Sequence, residues 1–313
     1  MIPTLAQNII LYGVIRLSEL FGRKYKIIVA TKGTNGIDIT GLRAVFSIDK
    51  SMSTEPNKST IQIYNLAPAT QNFILSDAKR IIIEAGYENS EQYGLIFDGD
   101  IVKAIRRAAQ SVDKITEVIA QDGDLFLNSG FISVSYGAGQ TTQSVLSQMQ
   151  GIADDDMTMG NVSSDLKGTK LARGKAMFGQ PKDYASMLAK SEGALFYVND
   201  RKINLVKPGD LPEGQIVDLS PSSGLIGTPE QTDDGVTGKC LLNPLLNVNK
   251  LVHISNEFVQ ESNEVGKATL SSGVYKIIKL KHTGDTHGND WYTEFEGVAQ
   301  PGTVPLTGDS YNT

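Results

Sequence analysis

The amino-acid sequence predicts a mainly β protein that carries a small α/β insert. Short segments of alternating polarity, separated by turn residues, fill residues 25–123 and return after residue 207. Residues 124–206 instead contain two helix-like segments and a hairpin. We therefore divide the chain into an N-terminal arm or short helix at 1–24, a β region at 25–123, the insert at 124–206, a second β region at 207–300 and a flexible tail at 301–313.

The first β region contains strand-like segments joined by recognisable turns. Residues 24–30 are followed by Thr34-Asn35-Gly36, which is a strong hairpin signal. Pro68 begins a short helix that ends near Ser76. The remaining predicted strands of this region cover 42–48, 59–64, 80–85, 95–107 and 114–121.

The insert has its own turn and capping signals. Thr141 is a good N-cap for a helix, and Asp183 is expected to cap a second helix that Gly193 ends. A hairpin with strands at 194–198 and 202–206 is expected to turn at Asn199-Asp200.

The N-terminal arm contains an apolar stretch at 9–21 in which Ile10, Val14, Leu17 and Phe21 share one helical face. Polar residues interrupt the stretch and no basic segment precedes it, so a short docking helix is expected and a signal peptide is not. The sequence has no run of about 18 apolar residues, so no membrane partner is expected.

Composition narrows the classes of function. Apolar residues make up 40% and charged residues 20% of the 313 residues, which is typical of a packed globular protein. The net charge of −6 argues against a protein that binds nucleic acid by neutralising phosphates. Cys240 is the only cysteine, so no intrachain disulfide forms, and its apolar surroundings predict a buried, inert thiol.

Three motifs contain residue types found in binding sites, and for each of them a purely structural role is favoured. The loop at 137–142 faintly resembles a phosphate loop but lacks the lysine that reaches the phosphates, which favours a capped strand-to-helix turn. Asp154-Asp155-Asp156 does not have the ligand spacing of a calcium loop, which favours a solvated acidic loop. The group His282, Asp285, His287 and Asp290 is expected to lie in a hairpin loop, and whether the His282/His287 loop binds an ion stays open.

No catalytic, cofactor-binding or metal-ligating residue is assigned, and we predict that the protein is not an enzyme. The sequence has no nucleophile elbow of the Gly-x-Ser-x-Gly type. A carboxylate pair for glycoside hydrolysis stays open because aspartate and glutamate are plentiful and no pair stands out.

Three ordered groups of segments resemble the hub, or late control, family of contractile-tail phage baseplates. Pro56-Asn57 followed by a strand and Tyr64-Asn65-Leu66 is similar to the first barrel of that family, and Trp291 begins a strand similar to its closing hairpin. The resembling segments are 41–46 with 56–66, then 224–230 with 235–237 and 242–244, and last 273–276 with 282–285 and 291–294.

The resemblance implies two tube-like antiparallel β-barrel domains, at 25–123 and 207–300, and a homotrimeric ring that joins the sixfold tail tube to the threefold spike. The expected partners are the tail tube protein and the central spike protein, with baseplate wedge or tape measure proteins as further candidates, and DNA would pass through the channel. It also implies a location in the virion. The single cysteine fits assembly in the reducing host cytoplasm, and because the sequence ends soon after the second β region, no attached lysozyme or peptidase domain is expected.

A relationship between the two β regions is expected from symmetry, because a trimer that meets a hexamer needs two equivalent surfaces per chain. Thr116-Glu117 and Thr293-Glu294 occupy similar places in the two closing strands. The channel wall is expected to be neutral to acidic so that DNA slides without sticking. The alternatives are a tail-tube or tube-initiator protein and a cell-wall-degrading enzyme of the injection machine.

Overall fold

The computed structural model shows a protein built mainly of antiparallel strands, as the sequence predicts, with helices concentrated in its middle third. The structure describes residues 20–31, 36–88, 90–108, 113–154, 156–212, 214–232, 235–254 and 273–299. The N-terminal segment that carries the expected docking helix and the expected C-terminal tail lie outside these residues, apart from Leu20 and Phe21.

Among the residues that the structure describes, the part of the chain before the insert, which is the first half of the repeat, contains seven strands and one helix. Alternation of buried and exposed residues along them, for example in Lys58–Tyr64, is that of strands with one face on a core. The elements are β1 (Arg23–Ala30), β2 (Gly36–Asp38), β3 (Ala44–Ser51), β4 (Lys58–Tyr64), α1 (Pro68–Ser76), β5 (Arg80–Tyr87), β6 (Tyr93–Ala108) and β7 (Lys114–Gln121).

The insert follows, beginning with a short π-helical turn at Leu125–Ser129. Its elements are β8 (Ile132–Tyr136), α2 (Thr142–Ala153), β9 (Thr158–Val162), α3 (Ser164–Lys167), β10 (Lys175–Gly179), α4 (Pro181–Ser191), β11 (Leu195–Asn199) and β12 (Lys202–Val206). The helix for which Asp183 is the expected N-cap begins at Pro181, with Gln180, three residues before Asp183, as its N-cap, because proline suits the first helical position.

The part of the chain after the insert is the second half of the repeat. It consists of strands and a short 3-10 helix at Pro221–Ser223. Its strands are β13 (Val217–Leu219), β14 (Leu225–Gln231), β15 (Gly235–Leu241), β16 (Leu251–Ile254), β17 (Val274–Asp285) and β18 (Trp291–Ala299). Strand β17 extends further than expected, so His282 and Asp285 lie in the strand and not in the following loop.

The two halves have the same strand order. In the first half, the neighbouring strands run β1-β5-β6-β7-β4-β3, and in the second they run β13-β16-β17-β18-β15-β14. Strand β2 has no counterpart among the described strands of the second half. When it is left out, the first to the sixth strand of each half occupy the same positions in the sheet. All of these pairs are antiparallel except β13 with β16, which is parallel.

A β-bulge recurs at the same place in both halves. The register of β6 against β7 shifts between Ile101 and Lys103, and that of β17 against β18 shifts between Ile277 and Lys279. When Glu117 and Glu294 are aligned, the two bulges coincide. Because a bulge bends its strand and strengthens the twist, the shared bulge gives both hairpins the same kind of curvature.

The halves are joined into one sheet of 13 strands by β17 and β3. Residues Lys279–Asp285 pair antiparallel with Val45–Ser51, whereas the start of β17 pairs with β16. Trp291 adds a side-chain contact across this junction, packing edge-on against Phe46 with ring centroids 5.6 Å apart. Among the described residues the sheet path is open, with β14 at one end and β2 at the other.

Three clusters of buried side chains follow the three parts of the chain. The first contains Phe46 and Ile61, the second lies within the insert around Leu146 and Phe196, and the third contains Cys240 and Phe295. Since each cluster is drawn mainly from one part, each part has enough apolar surface to pack around a core of its own.

Candidate functional site

One face of the joined sheet is polar and carries a row of alternating charges. The row crosses five neighbouring strands through directly opposed residues, which are Lys58, Asp49, Lys281, Glu294 and Lys239. Lys281 Nζ lies 3.8 Å from Asp49 Oδ1, and Lys239 Nζ lies 3.5 Å from Glu294 Oε1. No two like charges are opposed in this row. Because directly opposed residues of opposite charge attract each other, the row stabilises the pairing of these strands.

A second polar row runs beside the first, with Lys279 opposite Glu296 and Thr237 between Glu296 and Glu230. All members of the two rows except Lys58 line a shallow groove of about 550 Å³ on β3, β14, β15, β17 and β18. Exposed ion pairs of this kind contribute little to stability, so their main effect is on the potential of the surface. That potential is balanced because the lysines lie opposite carboxylates.

A buried ion pair lies on the opposite, core-facing side of β3. Lys50 Nζ donates to both carboxylate oxygens of Asp200, at 2.7 and 2.6 Å, and its side chain is only 1% exposed. Asp200 occupies the turn between β11 and β12 and has a φ of 50°, a conformation that aspartate tolerates better than most residues. The tip of the insert hairpin is therefore fixed to the sheet by a charge pair removed from water.

Arg201, the next residue of that turn, extends the buried cluster. Its guanidinium donates to Asp154 Oδ2 at 2.9 Å and also to Asp100, and its backbone N–H donates to Asp122 Oδ1 at 2.8 Å. Burial raises the pKa of Asp122, and the neighbouring Asp200 carboxylate raises it further. Burial also raises the pKa of Asp100, which the charge of Arg201 partly offsets.

Two asparagines complete the connection between the insert and both halves. Asn57 Nδ2 donates to the carbonyl of Val198 at 3.1 Å, and its Oδ1 accepts the N–H of Ser51 at 2.9 Å. From the second half, Asn247 Nδ2 donates to Asp200 at 3.1 Å. The sequence predicted the Asn199-Asp200 turn but not this cluster, because its members are far apart in the chain.

The structure assigns packing roles to two of the motifs singled out in the sequence. The Thr141 hydroxyl accepts the N–H of Ser144 at 3.2 Å, which makes the 137–142 segment a capped strand-to-helix turn as expected. Cys240 is 1% exposed, and burial raises the pKa of its thiol to about 12. A thiol that stays protonated is a poor nucleophile.

The acidic triplet differs from its prediction as a solvated loop. Asp154 is 1% exposed and bonds to Arg201, whereas the side chain of Asp156 is 34% exposed and Asp155 lies outside the described residues. The buried arginine, which is distant in the sequence, explains the difference because it compensates the charge of Asp154.

The expectation that the His282, Asp285, His287 and Asp290 group lies in a hairpin loop is wrong for His282 and Asp285, which belong to β17. His282 faces the core and is 1% exposed, with Nδ1 2.8 Å from Thr293 Oγ1, whereas His287 is exposed in the turn after β17. Burial, with a smaller contribution from the Lys50 ammonium, lowers the pKa of His282 to about 3. Asp285 instead forms an ion pair with Arg43 at 2.7 Å. In the part of the chain that the structure describes, no group of three or more His, Cys, Asp or Glu residues has the arrangement of a metal site.

Within the described ranges, none of the helices has the length and apolar character needed to cross a membrane.

The fold is similar to that of tail proteins and of a type VI secretion component. It is similar to a 43 kDa tail protein of prophage MuSo2 from Shewanella oneidensis, with a TM-score of 0.56, 10% identity, and coverage of 88% of this chain and 97% of the other. It is also similar to a tail protein from Neisseria meningitidis MC58, with a TM-score of 0.56, 10% identity, and coverage of 91% and 100%. The E. coli c3393 protein, a type VI secretion component with structural similarity to T4 tail proteins gp27 and gp5, matches with a TM-score of 0.57, 12% identity, and coverage of 90% and 78%.

The sequence itself identifies the family. Residues 27–296 match the model of the family described as baseplate hub gp41, so this chain belongs to that family. No curated protein sequence matches it significantly. The chain is therefore a structural component of a phage baseplate and part of the virion, in agreement with the resemblance found in its sequence.

Proposed function

We propose that three copies of this chain form a ring at the centre of the baseplate, which joins the tail tube to the spike. The observation that supports this proposal most directly is the repeated strand order of the two halves. Three chains with two similar halves present six similar surfaces around an axis, which suits a sixfold tube on one side and a threefold spike on the other.

In this proposal each half is a tube-like, barrel-type domain, at 25–123 and 207–300, and the insert at 124–206 is attached at their junction. The buried cluster of Lys50, Asp200 and Arg201 supports a rigid attachment, because a charge network of this kind has one well-paired geometry. A rigid chain suits a hub, whose task is to hold two different symmetries in a fixed relationship.

The polar face with its alternating charges is proposed to line the DNA channel. Every lysine of the row from Lys58 to Lys239 lies opposite a carboxylate, which limits the attraction for phosphates. A wall of unpaired lysines would instead bind DNA and slow its passage. The balanced face therefore supports a surface along which DNA slides.

The tail tube protein and the central spike protein are the proposed partners, with assembly in the host cytoplasm. Support comes from the similarity to a type VI secretion component that is itself described as structurally similar to the T4 tail proteins gp27 and gp5. A tail-tube subunit is less well supported, because a hexamer of chains with two similar halves would present twelve surfaces to its neighbours. We propose no catalytic role.

The number of copies in assembled tails tests this proposal. We expect a cryo-EM reconstruction of the intact baseplate to place three copies of this chain in one ring, with residues 58, 239 and 281 facing the channel. Quantitative mass spectrometry against the tube protein gives an independent count. Six copies in one ring would overturn the hub proposal in favour of the tube alternative.

A further inference from the structure

Several strand edges have no strand partner in the part of the chain that the structure describes, and two of them correspond to the edges of β3 and β17 that pair within the chain. One is the outer edge of β14, which is the last strand of the sheet. The other belongs to β6, whose pairing with β5 ends at Asp100, although β6 continues to Ala108 along β7. Unpaired edges of this kind are templates for pairing with another chain.

We propose that β14 of one copy pairs antiparallel with the free edge of β6 in the next copy, in the register that joins β3 to β17 within the chain. The inference rests on the ring under Proposed function, and it names the surface that closes the ring. In the repeated strand order, β14 corresponds to β3 and β6 corresponds to β17. The intrachain junction between β3 and β17 therefore has the geometry that we propose for the contact between the two free edges.

The equivalent positions fix the register of this contact. Aligning Glu117 with Glu294 makes Arg107 equivalent to Thr283. The same alignment, carried across the neighbouring strands, makes Glu230 equivalent to Ser47. Thr283 and Ser47 are directly opposed within the chain. Arg107 of one copy is therefore opposed to Glu230 of the next.

The charges of the two edges are complementary. The free part of β6 carries the exposed residues Lys103, Arg106 and Arg107, and Glu230 is exposed on β14. Arg107 already donates to both oxygens of Glu117, at 2.7 and 2.6 Å, while its side chain stays 54% exposed. A guanidinium has five N–H donors, so this arginine has donors left for a carboxylate of a second copy.

Two features of β14 limit what else it pairs with. Its register against β15 shifts between Ile226 and Glu230, a stretch that contains Gly227 at a φ of 70° and Pro229. Proline has no N–H to donate and a bulge interrupts a ladder, so pairing is confined to a short stretch around Glu230. A short edge that needs an arginine opposite its glutamate favours one partner over indiscriminate aggregation. The contact joins two different surfaces of neighbouring copies, so it is head-to-tail. In the proposed ring of three copies, these interchain contacts alternate with the intrachain β3–β17 junctions and close the ring.

Disulfide cross-linking in assembled tails tests the register. In a Cys240→Ala background, particles carry Arg107→Cys together with Glu230→Cys. Opposed residues of paired strands have Cα separations compatible with a disulfide. The matched control places the cysteines at Ser47→Cys and Thr283→Cys, the equivalent pair inside one chain. A second control combines Glu230→Cys with Lys58→Cys, which lies several strands from the proposed contact. All variants are first shown to assemble under reducing conditions.

Under oxidation, we expect the Arg107/Glu230 variant to run as covalent dimers and trimers, the Ser47/Thr283 variant as a monomer with an internal disulfide, and the Lys58/Glu230 variant as an uncrosslinked monomer. Three copies per ring without the intermolecular disulfide would overturn the edge pairing and leave the trimeric hub intact. Six copies per ring would overturn the hub itself.

A charge reversal gives a second readout that does not depend on cysteines. We expect Glu230→Lys, which places a positive charge opposite Arg107, to lower incorporation of the chain into tails by at least about tenfold. Glu192→Lys, in the insert, is the matched control and is expected to assemble as the wild type does. Wild-type incorporation of Glu230→Lys would contradict the proposed register.

Discussion

Thr116 and Thr293 are equivalent residues, and each hydroxyl accepts a hydrogen bond from the segment that follows β4 or its equivalent, β15. The amide of Gln71, in α1 between β4 and β5, donates to Thr116 Oγ1 at 2.8 Å. The backbone N–H of Asn243, between β15 and β16, donates to Thr293 Oγ1 at 3.1 Å. Both threonines are fully buried. The same polar contact therefore ties the closing hairpin to the interior of each half, although the connecting segments differ in structure.

Substituting either threonine with valine is expected to destabilise the protein. Valine has the same shape but no acceptor, so Thr293→Val leaves the N–H of Asn243 buried without its partner, at a cost of about 1–3 kcal/mol. Thr60→Val, on the exposed face of β4, is the matched control and is expected to change stability by less than about 0.5 kcal/mol. Urea unfolding measures both. Equal effects of the two substitutions would show that the buried hydrogen bond contributes nothing.

The sequence predicted the elements better than their arrangement. Strands such as β4 and β7, and the cap at Thr141, depend on local alternation and local hydrogen bonds, so the residues themselves signal them. The pairing of β17 with β3 joins residues more than 200 positions apart and leaves no local pattern. The Thr-Glu pairs were a weak trace of the repeat, and the structure places them at equivalent positions of its closing strands.

The two errors at candidate site residues have a common physical cause. Asp154 and His282 are polar residues in polar stretches of sequence, which is typical of solvated loops. Both are buried because partners from distant segments satisfy them, namely Arg201 for Asp154 and Thr293 for His282. Such compensation is a property of the folded chain, so a local pattern could not have revealed it.

Loss of the buried ion pair is expected to be costly. Lys50→Met leaves the carboxylate of Asp200 buried without its cation, which costs about 3–5 kcal/mol. Asp200→Asn in the same chain removes the uncompensated charge and keeps a residue that tolerates the turn, so the double variant should regain part of that loss. Lys182→Met, which breaks a surface pair with Glu55, is the control and should change the unfolding free energy far less than Lys50→Met does. Chemical unfolding of the wild type, the two single core variants, the double variant and the control tests this, and additive effects of the two core substitutions would contradict it.

Acid is expected to destabilise the protein through His282. Its folded-state pKa of about 3 lies below the unfolded value of 6.5, so the neutral ring contributes stability that is complete above pH 6.5 and is lost as the pH falls toward 3. At pH 4.5 this loss amounts to about 2–3 kcal/mol. His282→Gln cannot gain the proton, so its unfolding free energy should fall less between pH 7 and pH 4.5 than that of the wild type. Parallel pH dependences for the two proteins would contradict the assignment.

The last prediction concerns the polar face and the passage of DNA. Glu294→Lys with Glu296→Lys leaves Lys239, Lys279 and Lys281 opposite further lysines, so a balanced strip of the proposed channel wall becomes strongly basic. Because both side chains point away from the core, we expect particles to assemble. Triggered DNA release from purified particles, followed with a fluorescent dye, should be slower than in the wild type at low salt. The delay should shrink as salt is added, since phosphate binding weakens with ionic strength. Glu192→Lys in the insert adds positive charge away from the face and should release DNA at the wild-type rate. Wild-type release by the double variant at low salt would show that this face does not line the channel.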